Sequence, residues 1–165
     1  NLGDSFIGLQ ILKNKIKLGK RANNYFINRY YHPDIQISLT TKLLKFANTS
    51  IDISDGLVAD LDKMLNNINY SYQIYEEKIP ISKNLSELLI SRNFKKSKLI
   101  SNGDDYQILF TASSHNSRII QRTSRILGVK ITKIGQIVSG KKKSSMFDQK
   151  TKEILIKKTG YIHKF

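Results

Sequence analysis

The chain contains no cysteine. Disulfides and thiolate-bound metals are therefore excluded, and a metal site must be built from oxygen and imidazole ligands. The absence fits a cytoplasmic protein. Histidine is scarce as well: His32, His115 and His163 are the only three. No two of them have the i, i+4 spacing of a helical zinc site. Long apolar runs are missing too. Stretches such as Lys42-Leu43-Leu44-Lys45-Phe46-Ala47 are broken by charge, whereas a membrane-spanning helix needs roughly 20 apolar residues. The first twenty residues do not read as a secretory signal, because Asp4 and four lysines from Lys13 to Lys20 bracket only a short apolar run. There is no Walker A loop, nucleophile elbow or G-x-G-x-x-G.

Arginine is also sparse, and this bears on the net charge of +15. Such a charge invites a nucleic-acid reading. However, only six of the 28 basic residues are arginine, while Lys, Ile and Asn together supply 59 of 165 residues. Those three share A/T-rich codons, so base composition accounts for the bias. A nucleic-acid binder more often clusters arginines and interleaves aromatics on one face. Here the lysines are spread along the chain as a solvated surface, and no nucleic-acid partner is expected.

What is present is enough for one domain: 165 residues with 39% hydrophobic. Asp4 or Ser5 can cap a helix carrying Ile7, Leu9, Ile11, Leu12 and Ile16. A second helix is predicted over Ala22 to Tyr31, stopped by Pro33. A third is predicted over Ile35 to Ala47, with Ile37, Leu39, Leu43, Leu44 and Phe46 as its buried stripe. Thr49 to Ile53 reads as a strand, Gly56 to Asn67 as a helix, Ser71 to Tyr75 as a strand and Leu85 to Ser91 as a short helix. Tyr106 to Thr111 is almost wholly apolar, as in a central strand covered on both faces. A helix over His115 to Leu127, a β-like stretch over Val129 to Val138 and a weak strand at Ile154 to Lys157 complete the order. Helices and strands mix without a βαβ repeat, which predicts an α+β fold with a mixed β-sheet layered against helices.

Three segments carry candidate chemistry. In Ile51-Asp52-Ile53-Ser54-Asp55-Gly56-Leu57 a strand ends and a helix begins. Strand alternation points Asp52 and Ser54 to one side and Ile53 to the other. Asp55 lies at the helix start, where backbone N–H groups and the helix dipole favour an anion such as phosphate. Carboxylates are also the hard ligands Mg²⁺ takes, one or two per ion, with phosphates and water completing the shell. The ordinary alternative is a plain N-cap, although Asp52, ending an apolar strand, has no capping duty. The second segment is Asn102-Gly103-Asp104-Asp105-Tyr106, two acids behind a glycine, whose ordinary reading is a turn. The third is the tail, Gly160-Tyr161-Ile162-His163-Lys164-Phe165, where Tyr161 can stack on a heteroaromatic ring or simply pack into a core.

In this order the segments resemble the thiamine-monophosphate kinase family of the aminoimidazole-ribotide synthetase superfamily. Ser50 to Leu61 is similar to its D-I-S-D-G-L-x-x-D-L signature, and Asn102 to Phe110 to its G-E-D-Y-E-L-L-F segment. Asn1-Leu2-Gly3-Asp4-Ser5, Ile134-Gly135-Gln136-Ile137 and the Gly160-Tyr161 ending resemble three further motifs. Asp104 and Gln107 stand where the family has glutamates, and Lys164 is inserted in the tail. The resemblance implies ATP-dependent phosphorylation of thiamine monophosphate to thiamine diphosphate, with ATP as co-substrate and several Mg²⁺ ions. Asp52 and Asp55 would bind magnesium, Ser54 would contact ATP, and Asp104 and Tyr161 would contact the thiamine moiety. It also implies that residues 1–165 are a single C-terminal domain of a longer two-domain kinase. The missing N-terminal domain and a homodimer would complete the site, so this piece alone would be inactive. The opening Asn1-Leu2-Gly3-Asp4, with no initiator methionine, agrees with a fragment. Another ATP-using enzyme of the superfamily, a basic nucleic-acid-binding domain and a degenerate regulatory domain are the alternatives.

Overall fold

The structure, a computed structural model, describes residues 1–66, 68–140 and 143–154. The expected α+β architecture is observed, but with two sheets. β1 (Ala47–Ile53) pairs antiparallel with β3 (Gln107–Ala112) as a two-stranded ribbon. β2 (Tyr70–Tyr75), β4 (Gly135–Ser139), β5 (Ser145–Phe147) and β6 (Glu153–Ile154) form a second sheet in the order β4-β2-β5-β6. The β2–β5 pair is parallel and its neighbours are antiparallel, so this sheet is mixed.

Seven α-helices surround these strands among the described residues. α1 (Asp4–Leu12) and α2 (Lys20–Tyr31) pack on α5 (Lys83–Arg92) through Ile7, Ile11, Phe26, Leu85 and Leu88. α4 (Leu57–Met64) buries Leu57, Val58 and Leu61 with Ile53 of β1, Tyr72 and Ile74 of β2, and Met146 of β5. These residues recur every three or four positions on the helix and every second one on β2, the two periods that direct apolar side chains to one face. α3 (Ile37–Leu43) joins Phe110 of β3 and Ile120 of α7 (Ser117–Leu127) in a third cluster around Phe46.

Several sequence expectations are corrected. α3 ends at Leu43, so Leu44 falls out of helical phase and is 93% exposed; Ile37 is exposed too. Val129 to Ile134 is not strand; β4 begins at Gly135. β3 is not a central strand. Among the described residues it pairs with β1 alone, and most of its residues are half-buried. α6 (Lys96–Ile100) and β5 had no sequence prediction behind them. The Ile154 to Lys157 strand is observed only as far as Ile154, and the rest lies outside the described residues.

Candidate functional site

The two acidic segments, 50 residues apart in sequence, lie backbone to backbone. Antiparallel pairing sets Ile53 opposite Gln107, and two further bonds extend the ladder past the strand ends. The Tyr106 amide donates to the Ile53 carbonyl at 2.9 Å, and the Asp104 amide to the Ser54 carbonyl at 2.9 Å. This approach needs glycine on both sides. A Cβ on Gly103 would sit 1.8 Å from the Ser54 carbonyl oxygen, and one on Gly56, where φ is +124°, would sit 2.5 Å from that of Ser101. Only a residue without a side chain fits either place.

Asp52 is exposed and Ile53 buried, as strand alternation requires. No side chain among the described residues bonds Asp52. Asp55 is paired with Lys63, which also reaches Asp60 at 2.9 Å. Asp104 stands beside Asp55 in a left-handed backbone conformation, φ +70°. Burial, then the Asp55 charge, raises its pKa, and Lys13 opposes the shift. The Tyr106 phenol, also at positive φ (+49°), is raised by burial and then by Asp104, Asp52 and Asp55. Carboxylates of both segments thus act together on the Tyr106 phenol. Among the described residues no three acidic or histidine side chains converge as a metal cage. A cation held here would draw only part of its shell from these carboxylates, an arrangement Mg²⁺ accepts where phosphates and water complete its octahedron.

The helix start differs from the sequence reading. Neither Ser54 nor Asp55 caps α4; Gly56 occupies the cap position with no side-chain bond. Asp60, fully buried, reaches back instead. Its Oδ2 accepts from the backbone amides of Ser54 at 3.0 Å, Asp55 at 3.0 Å and Gly56 at 3.1 Å. Those amides, which sequence reasoning offered to a phosphate, are already occupied. A phosphate placed here would have to be met by side chains or by a bound cation. Asp60 was missed as a site residue, although its phase on the apolar face of α4, between Leu57 and Leu61, was a readable signal.

Asp105 turns the other way. It is buried, and it accepts from the Gly3 amide at 2.7 Å and the Ser5 amide at 3.4 Å, so it caps α1 from a distant part of the chain. Asp4, read from sequence as that cap, accepts instead from the Tyr25 hydroxyl at 2.9 Å and the Ser82 hydroxyl at 2.7 Å. Burial pushes the Asp105 carboxyl up to about 7, against its two amide bonds, and Asp4 adds to the rise. Between the ordinary carboxylate pKa and this raised one, the folded chain holds a proton that the unfolded chain has released. Stability therefore falls as pH rises through that window, by at most about 1.4 kcal/mol per pH unit, and levels off above it. Asp105→Asn should remove most of that slope in urea unfolding curves taken between about pH 5 and pH 7.5. A residual slope of the same sign is expected from Asp4, whose pKa is also raised by burial. A variant slope equal to that of the parent chain would refute the assignment.

Of the residues singled out from sequence, Asp52, Ser54, Asp55 and Asp104 are brought together, and Tyr161 lies outside the described residues. No family model matches the chain. Individual proteins do. Over 98% of its length the chain is 38% identical to the thiamine-monophosphate kinase of Buchnera aphidicola subsp. Acyrthosiphon pisum, covering 50% of that protein. Its fold superposes on the crystal structure of thiamine-monophosphate kinase from Stenotrophomonas maltophilia with a TM-score of 0.76 at 27% identity, over 87% of this chain and 47% of that one. A ThiL structure complexed with AMPPCP and TMP gives a TM-score of 0.75 at 27% identity, over 98% of this chain and 49% of that one. The chain spans about half the length of the curated relatives it matches. By sequence and by fold, it belongs with the thiamine-monophosphate kinases, of whose length it represents about half.

Proposed function

We propose that the chain forms one wall of an ATP-dependent kinase site that converts thiamine monophosphate to thiamine diphosphate. The observation that carries this is the backbone contact between the Ser54–Gly56 turn and the Gly103–Asp104 turn. It gathers Asp52, Asp55 and Asp104 on one surface of a chain homologous to thiamine-monophosphate kinases. A relative of this fold complexed with AMPPCP and TMP supports ATP and thiamine monophosphate as the two substrates. In this reading residues 1–165 are a single C-terminal domain, and the other half of the relatives' length supplies an N-terminal domain that closes the site, within a homodimer.

Asp52 and Asp55 would hold magnesium, Ser54 would contact ATP, and Asp104 and Tyr161 would contact the thiamine moiety. Bound Mg²⁺ would neutralise charge on the transferring phosphoryl group. The attacking group is a phosphate oxygen already ionised near neutral pH, so the chain needs no strong general base. Its task is to position two anions in line and to offset their repulsion. That demand suits a site whose conspicuous side chains, among the described residues, are carboxylates. No helix among the described residues is long and apolar enough to cross a membrane, and a cytoplasmic setting is part of the proposal.

The test is a substrate panel on the protein completed with its other half. ADP release that needs both Mg²⁺ and thiamine monophosphate supports the reading. Release with a different phosphate acceptor assigns another chemistry of the same fold. Salt-sensitive binding of DNA or RNA with no turnover assigns a nucleic-acid module instead.

A further inference from the structure

Of the three charged residues of α4, none of them used by the proposed reaction, Asp60 and Lys63 point at the site and Asp62 meets the Tyr72 hydroxyl. Asp60 has no exposed surface, yet every contact of its carboxylate is with the turn or with Lys63. One oxygen accepts three successive backbone amides, Ser54, Asp55 and Gly56, and the other accepts the Lys63 ammonium at 2.9 Å. A buried carboxylate is costly unless it is fully bonded, and this one is. The amides it gathers set the path of the chain between Ile53, which must face the core, and Gly56, which must meet the Ser101 carbonyl. Asp60 thereby determines where the side chains of Ser54 and Asp55 emerge.

Lys63 is placed differently. Its side chain is about half exposed, and its ammonium bridges Asp60 and Asp55. Asp55 thus has a cation on it already. The Asp104 amide donates to the Ser54 carbonyl at 2.9 Å, which keeps a second acidic residue beside this point. Lys63 bonds Asp55 through Oδ2, so a divalent ion that takes this oxygen displaces the ammonium.

We infer that Asp60 and Lys63 form a positioning clasp for the Asp52–Gly56 turn: Asp60 fixes its backbone, and Lys63 holds the Asp55 carboxylate until a divalent cation replaces the ammonium. The second half of the clasp rests on the metal reading proposed above, and the first half does not. Neither residue touches the reacting atoms; both act through Asp55 and its neighbours.

The two halves separate in nuclear magnetic resonance of the isotope-labelled chain completed with its other half, with hydrogen exchange in the absence of metal and Mn²⁺ alone as a paramagnetic probe. In the parent chain the Ser54, Asp55 and Gly56 amides should exchange slowly, and Mn²⁺ should broaden residues 52–56 and 104–106 first. Lys63→Met should leave the three amides protected and bring on the same broadening at about two- to fivefold lower Mn²⁺, the equivalent of one exposed ion pair released. A merely structural lysine predicts the opposite, weaker Mn²⁺ binding with looser amides. Asp60→Asn, which keeps the volume but gives up a charged acceptor, should speed exchange of the three amides about tenfold or more relative to core amides. Equal protection in Asp60→Asn overturns the role of Asp60, and equal or higher Mn²⁺ demand in Lys63→Met overturns that of Lys63. If Asp60→Asn does not fold, the half-exposed Lys63→Met still decides the cation exchange. No selective broadening in the parent chain would sink the metal reading and the exchange with it, while the amide measurement still decides Asp60.

Discussion

Asp52→Asn is expected to lower kcat of the completed kinase by about a hundredfold or more, the size of effect seen when one preorganised electrostatic contact to a transition state is lost. The substitution is nearly isosteric, so the fold should survive it. Asp52 is exposed in β1, opposite Ile108, and makes no side-chain bond among the described residues. Its loss therefore removes no internal contact that would hold β1 in place, and urea unfolding should move by less than about 0.5 kcal/mol, as for an ordinary surface change. That separation of activity from stability is the diagnostic. It follows from the strand geometry: Ile53 anchors the turn in the core, and Asp52 is carried on the other side, where its charge, like those of Asp55 and Asp104, acts on the Tyr106 phenol. An amide ligates Mg²⁺ without its charge, so added Mg²⁺ should restore part of the activity by mass action. A variant that turns over at the parent rate would remove Asp52 from the metal site. One that unfolds easily would make it a structural residue.

Much of this site was legible in the sequence because its parts are local. β1 and α4 follow from a β-branched run ending in Asp-Gly and from the spacing of Leu57, Val58, Leu61 and Met64, and the alternation of Asp52 with Ile53 follows from the strand itself. What was not legible depends on distant chain. Nothing local distinguishes Asp104 from Asp105, yet one borders the site and the other caps α1 about 100 residues away in sequence. The apolar run Ile108-Leu109-Phe110 suggested a central strand, but α3 and α7 cover it in place of further strands. β5, three residues long and parallel to β2 from far along the chain, has too little pattern to announce itself. α6 is five residues long and opens Lys-Ser-Lys, which reads as loop. The cap was misassigned for a related reason. A helix start invites the nearest Asp or Ser, and the acceptor came instead from Asp60, one turn inside the helix.

Gly103→Ala should be the most destabilising change within the site, costing about 3 kcal/mol. The cause is contact, because Gly103 does not sit in the left-handed region. Its added Cβ would lie 1.8 Å from the Ser54 carbonyl oxygen, 2.6 Å from the Ser54 carbonyl carbon and 2.9 Å from the Asp55 Cα, all backbone atoms that no rotamer change can clear. Relief requires the two turns to part, which lengthens or breaks the Asp104-to-Ser54 and Tyr106-to-Ile53 hydrogen bonds. Two other glycines calibrate the measurement. Gly19 has nothing within 4 Å and no positive φ, so Gly19→Ala should be close to neutral; Gly128 is equally open but at φ +63°, so Gly128→Ala should lose about 1 kcal/mol to backbone strain alone. Urea unfolding should rank the three as Gly103→Ala, Gly128→Ala and Gly19→Ala, from largest loss to smallest. Because parting the turns also moves Asp104 away from Asp55, Gly103→Ala should abolish the activity proposed for the completed protein even where the chain remains folded. Were Gly103→Ala as stable as Gly19→Ala, the two turns would not be in contact. The carboxylates on either side of them would then have no common site in which to meet a phosphate.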